Sequence, residues 1–210
     1  MFERSLEVRK LGRVAYSVAL ELQKQLESEV IARRLNDYLL LLEHPHTFTI
    51  GRRSKTEGVL ATTEMLRKLG VEVFETNRGG KVTYHGIGQI VGYPIISLSP
   101  DREDVHRYVR DIEEVLIRTM TDFGIEAFQI EGLTGVHTTE GKVAAVGVHL
   151  KRWVTTHGFA LNVNTDLSYY NWIIPCEGEP VTSMNRVLDG DIDMSAVEQR
   201  LAENFKDVFG

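Results

Sequence analysis

The chain holds one cysteine, Cys176, in the stretch Trp172-Ile173-Ile174-Pro175-Cys176-Glu177-Gly178. It follows a proline and leads into Glu177-Gly178-Glu179-Pro180, a turn-rich segment of the kind on which rigid scaffolds carry reactive groups. A lone cysteine is most often an inert, buried small hydrophobe. As a nucleophile it needs help, because a thiol with a pKa of about 8.5 is only a few per cent thiolate at neutral pH. A lysine in apolar surroundings can supply that help, since desolvation brings its proton exchange toward neutrality. Lys142 is the candidate: it opens Gly141-Lys142-Val143-Ala144-Ala145-Val146-Gly147, a run whose small residues leave room for a ligand chain. Together a thiol and such a lysine read as acyl-transfer chemistry, with Cys176 carrying the acyl group.

A third segment, Arg78-Gly79-Gly80-Lys81-Val82-Thr83-Tyr84-His85-Gly86, reads as a binding loop. Its paired glycines let backbone approach a ligand without an intervening side chain. It is not a phosphate-binding P-loop, because Lys81 is followed by Val82 rather than Ser or Thr. Nor does Gly86-Ile87-Gly88 complete a dinucleotide fingerprint, since the next glycine stands at 92 instead of 91. Seven histidines (44, 46, 85, 106, 137, 149 and 157) are available as bases, and spacing assigns none of them to Cys176. His44-Pro45-His46 lacks a neighbouring third ligand, and one cysteine cannot build a thiolate zinc site, so no metal is expected.

The elements that position these groups follow from periodicity. At 210 residues, 42% apolar and 26% charged, the chain is expected to form one domain, 1–210, with a proper core. A net charge of −6 argues against nucleic-acid binding. One cysteine precludes an internal disulfide and fits a reducing compartment, so a cytoplasmic location is expected. There is no secretory signal pattern at Met1-Phe2-Glu3-Arg4 and no apolar run long enough for a membrane helix. Val14, Val18, Leu22, Leu26 and Val30 predict one face of a helix over 14–32, and Val105, Val109, Ile112, Leu116 and Met120 the stripe of another over 101–123. Ser195 with Glu198 predicts a capping box for a last helix through Val208, and Thr63 an N-cap for a short one closed by Gly70. Strands are expected at 6–9, 37–43, 48–50, 71–75, 89–97, 125–130, 136–137, 142–151 and 158–163, with Pro94 marking an edge or a bulge. Residues 165–190 read as mostly loop. The order favours α+β with a mixed or largely antiparallel sheet and flanking helices over regular βαβ alternation.

Taken together, the motifs resemble the lipoyl(octanoyl) transferase family, also called the lipoate–protein ligase B family. The resemblance rests on Arg78-Gly79-Gly80 with Thr83-Tyr84-His85-Gly86 and Gly88-Gln89, then Gly141-Lys142 with Gly147, His157-Gly158-Phe159-Ala160-Leu161-Asn162, and Pro175-Cys176. It implies transfer of an octanoyl group from acyl carrier protein to a lysine of lipoyl domains, in 2-oxoacid dehydrogenase complexes and the glycine-cleavage H protein, with no cofactor. It places the acyl-thioester cysteine at Cys176 and the pKa-lowering lysine at Lys142. The acyl-binding segments it implies are 78–85, Ala145-Val146-Gly147 and Gly158-Phe159-Ala160, on a fold similar to the catalytic domain of biotin and lipoate ligases. Two departures stand out: Ile87 where the family usually has proline, and Glu177 where glycine commonly follows the cysteine. A carboxylate beside the thiol tends to raise its pKa. The competing readings are an ATP-dependent lipoate ligase on the same fold, which needs no cysteine, and a non-catalytic relative that docks acyl carriers. Acidic protein partners call for local basic patches, for which Arg52, Arg53, Lys55, Lys151 and Arg152 are the candidates.

Overall fold

The computed structural model describes residues 5–32, 36–54, 58–174 and 179–210. Cys176, Pro175, Glu177 and Gly178 lie outside the described residues, as does Lys55. Strands β1 (Ser5–Arg13), β2 (Asn36–Glu43), β6 (Gln89–Ile95), β7 (Val136–Thr138), β8 (Gly141–Lys151) and β9 (Val154–Asn162) form one sheet in the order β1-β2-β6-β9-β8-β7. The β1–β2 pair is parallel and the others are antiparallel. A smaller sheet has β3 (Thr47–Ile50) between β4 (Glu72–Glu75) and β5 (Val82–His85). This is the mixed-sheet α+β architecture expected from the element order.

The apolar run in β2 is continuous because both sheet faces are covered. Leu39 and Leu41 join the core under α3 (Val105–Asp122) and α5 (Met194–Phe209), whereas Tyr38, Leu40 and Leu42 face α1 (Tyr16–Ile31). Strand alternation repeats this in β6, where Ile90 faces the first layer and Val91, Tyr93 and Ile95 the second. The small sheet has its own core of Phe48, Ile50, Val82, Tyr84 and Ile173. No helix among the described residues is long and apolar enough to cross a membrane.

Several local expectations change. In α1 the buried face is Tyr16, Ala19, Gln23, Leu26, Glu27 and Val30, while Val18 is exposed. Steps of four residues drift by about 40° each at 3.6 residues per turn, so a strict four-residue ladder leaves the core face over this length. In α3 the face is carried by Tyr108, Ile112, Val115, Leu116 and Met120, and Val105 is exposed. The helix caps shift as well: Thr62 rather than Thr63 caps α2 (Thr63–Leu69), and Asp193 rather than Ser195 caps α5, each accepting a backbone N–H. Residues 125–130 hold only an isolated bridge, Phe128–His137. The 78–88 segment is not all loop, because β5 runs through it. Pro94 lies in an interior strand, not at an edge. The β6–β9 ladder is paired from Gln89–Asn162 to Gly92–Phe159 and returns as a bridge at Ser97–Val154, so the proline sits in the interruption between them. Within 165–190 are a 3-10 turn at Leu167–Trp172 and the short α4 (Met184–Val187).

Candidate active site

A cavity of about 130 Å³ lies between the small sheet and the α1-facing side of the large one. Its floor follows from strand register. Ala145 pairs with Ala160 and Gly147 with Gly158, so two successive rungs of the β8–β9 pair present almost no side chain on one face. On that face the next rung, His149 with Thr156, restores bulk at one end, and Asn162 closes β9 at the other. The result is a trough. Over it lies the Arg78-Gly79-Gly80 turn, tied down by Gly79 N–H donating to Val148 O at 2.9 Å. A Cβ on Gly147 would stand 3.1 Å from Gly79 O and 3.4 Å from Arg78 Cδ, which is why glycine suits the position.

Of the residues expected from sequence, Arg78, Gly80, Val82, Thr83, His85, Lys142, Ala145, Val146, Gly147, Gly158, Phe159 and Ala160 all line the cavity. Three of the expected binding residues stand apart from its wall. Gly79 acts through its backbone, as above. Lys81 is not in the lining, and Tyr84 is buried in the small-sheet core with its hydroxyl 2.8 Å from His46 Nδ1. Alternation separates Tyr84 from its neighbours: Thr83 and His85 face the cavity, while Tyr84 turns to the small-sheet core.

Lys142 sits at one end of the trough, its side chain 12% exposed. Its backbone N–H donates to Pro180 O at 2.9 Å, and its carbonyl accepts from Thr182 N–H at 2.9 Å. The chain leaving the Cys176 segment is thereby laid alongside β8, with a parallel bridge between Lys142 and Val181. Gly141 makes this approach feasible. A Cβ there would lie 2.4 Å from Pro180 O, and its φ of +134° is one that L residues rarely adopt. On the other side of Lys142, β7 brings His137 opposite it in register.

Sequence reasoning missed the partner of Lys142. Glu179 Oε2 lies 2.9 Å from Lys142 Nζ and 3.3 Å from His137 Nε2. Burial opposes ionisation of Glu179, but hydrogen bonds from Lys142 and His137 outweigh it and hold the carboxyl below its ordinary range. Among the seven histidines, His137 is the one that the register brings to the lysine.

The other missed lining residues are mainly aromatic or polar: Tyr16, Tyr93, His157, Asn162 and Tyr170. Gln89 organises part of this wall. Its amide nitrogen donates to Asn162 Oδ1 at 2.9 Å and to Tyr84 O at 3.1 Å, and its oxygen accepts from His85 Nδ1–H at 2.9 Å. Burial pushes His44 down to about 4 and His157 to about 3, and holds His85 well below its usual value, so these three imidazoles are neutral at pH 7. Each ring's N–H is already committed, His44 to Val14 O and His157 to Asn77 Oδ1. Arg78 is 7% exposed and donates to Thr49 O at 2.6 Å and Thr49 Oγ1 at 2.9 Å, which fixes the turn above the trough. Among the described residues no group of three His, Cys, Asp or Glu side chains is placed to hold a metal. Of the basic candidates for docking, Arg52, Arg53, Lys151 and Arg152 are exposed, Arg53 at the cavity wall and Lys151 3.7 Å from Glu27.

Comparison with known proteins gives the chain's kinship and its fold. The lipoyl protein ligase A/B catalytic domain family matches residues 15–206. An octanoyltransferase of Solibacter usitatus (strain Ellin6076) is 50% identical over 207 residues, covering 98% of this chain and 94% of that protein. Among solved structures, a bi-partite lipoate protein ligase and its E2 lipoyl domain from Thermoplasma acidophilum aligns with a TM-score of 0.75 at 18% identity, over 99% of this chain and 84% of that one. The apo biotin protein ligase of Aquifex aeolicus gives a TM-score of 0.54 at 12% identity, over 98% and 69%. These two likenesses establish the fold, and the sequence relationship establishes the kinship: the chain belongs to the lipoyl protein ligase A/B catalytic domain family, as an acyltransferase.

Proposed function

We propose that the chain transfers an octanoyl (or lipoyl) group from acyl carrier protein to a lysine of lipoyl domains through a thioester on Cys176. In this reading the whole of 1–210 is one catalytic domain working in the cytoplasm. The observation that carries it is Lys142 at the end of a side-chain-poor trough, with Pro180 hydrogen-bonded along its backbone. Three residues of extended chain span at most about 11 Å. Glu179, three residues along the chain from Cys176, is in contact with Lys142, which supports the reading.

In the first half-reaction the Cys176 thiolate attacks the carrier thioester. The new S–C bond forms as the carrier C–S bond breaks, and Lys142 gives its proton to the departing thiolate. In the second, the acceptor lysine's amine attacks acyl-Cys176. The N–C bond forms, the C–S bond breaks, and the neutral Lys142 takes the proton from the attacking nitrogen, restoring thiolate and ammonium. Meanwhile the acyl chain lies over the Ala145–Ala160 and Gly147–Gly158 rungs. The thioester supplies the driving force, so no nucleotide enters.

Supplying purified enzyme with octanoyl-carrier or with free octanoate plus ATP, and a lipoyl domain as acceptor, separates this reading from an ATP-dependent ligase. Octanoylated domain is expected from the carrier without ATP and none above background from the free acid. Turnover from octanoate and ATP alone would overturn the assignment.

A further inference from the structure

We infer that Glu179 and His137 are positioning residues that together set how tightly Lys142 holds its proton, and so time its switch from acid to base. The inference rests on the role proposed for Lys142. One carboxylate oxygen, Glu179 Oε2, is shared by Lys142 Nζ at 2.9 Å and His137 Nε2 at 3.3 Å. All three groups are largely withdrawn from water, His137 at 3% and Glu179 at 19% side-chain exposure. Their interaction is accordingly screened much less than a surface pair.

The state of His137 follows from its other nitrogen. Among the described residues, its Nδ1 is buried and has no hydrogen-bond partner. A doubly protonated ring would bury an unpaired N–H there, whereas the neutral Nε2–H tautomer leaves only a lone pair. His137 therefore meets Glu179 through Nε2–H as a hydrogen-bond donor, beside the Lys142 ion pair with the same oxygen. Because the β7–β8 rung places His137 opposite Lys142, and the lysine's backbone groups bond toward Pro180 and Thr182, the two side chains share one face at close range.

The consequences for Lys142 have opposite signs. Glu179 favours the ammonium, which the loading half-reaction needs as an acid, and opposes the free amine that the transfer half-reaction needs as a base. His137 donates to the same oxygen, draws off part of its charge, and loosens that hold. Among the described residues, the other carboxylates near the lysine are engaged elsewhere. Glu140 faces Arg186 at 3.6 Å. Glu113, beneath the loop that packs on the lysine stem, accepts from Gly135 N–H and from Arg110. Arg53 and Arg78, along with the neutral His85 and His157, share the cavity wall and stay unchanged in the comparison below.

The test measures the transfer half-reaction alone: preformed octanoyl-Cys176 enzyme is mixed with lipoyl domain across the neutral to alkaline range. Glu179→Gln is expected to move the rising limb of the rate profile to lower pH by about one unit. His137→Leu is expected to move it to higher pH. His137→Gln, which keeps a donor, is expected to fall between wild type and His137→Leu, and unfolding transitions close to wild type in both main variants guard against a folding defect. Profiles that superimpose, or that move in the same direction for Glu179→Gln and His137→Leu, would overturn the inference. A wild-type enzyme that forms no octanoyl-Cys176 would instead remove the reading beneath it, and loading is scored before any profile is taken.

Discussion

Replacing Lys142 with alanine is expected to lower kcat/KM for octanoyl transfer by about 10³-fold, within the 10² to 10⁴ that a positioned general acid–base contributes. The side chain is 12% exposed and stands at the cavity end, so no bulk water takes over its proton transfers. Both half-reactions lose the same group, which makes the effect appear with either substrate saturating. Lys142→Arg is expected to fail almost as badly, because a guanidinium cannot give up its proton at accessible pH. Adding Cys176→Ala to Lys142→Ala is expected to cost little more than either change alone, as groups acting as one unit are not additive. Initial rates of lipoyl-domain octanoylation, followed by mass, check this. Near-normal rates in Lys142→Ala would contradict it.

Filling the trough is the second large effect. Ala145→Leu puts an isobutyl group where a methyl faces Ala160 across the rung. If it displaces about three methylenes of the acyl chain, at ~0.8 kcal/mol each, the loss is about 2.4 kcal/mol, or about 60-fold in kcat/KM. The substitution adds bulk to an existing cavity wall and not to the packed core, so the cooperative unfolding transition is expected to stay close to wild type. Octanoyl-carrier is expected to suffer more than butanoyl-carrier, and the ratio of their kcat/KM values is the readout. An unchanged ratio would show that the chain does not lie across Ala145.

The parts of this protein that were legible from sequence are those decided by local pattern. The Leu39 to Leu42 run announces a strand buried on both faces, and Gly141-Lys142 next to small residues announces a lysine beside open space. The buried face of α1 was not legible, because two of its members are polar. Gln23 is buried to accept the backbone N–H of His157, a residue held at a φ of +57°, and Glu27 lies 3.7 Å from Lys151. Apolar Val18 meanwhile faces solvent. Such choices depend on what a distant strand presents, which periodicity cannot show. The same holds for the site. Glu179 drew no notice because nothing local distinguishes it from Glu177, two residues away. It matters because β7 delivers His137 from 42 residues upstream, and only the sheet register reveals the meeting.

The most direct measurement is the site of acylation. Enzyme incubated with octanoyl-carrier and no acceptor, then digested under conditions that preserve thioesters, is expected to carry one octanoyl group, on the peptide containing Cys176. Adding lipoyl domain is expected to discharge it, leaving the octanoyl group on the domain's lysine. An enzyme that transfers octanoyl groups while Cys176 stays unmodified, or that holds the group on another residue, would contradict the account.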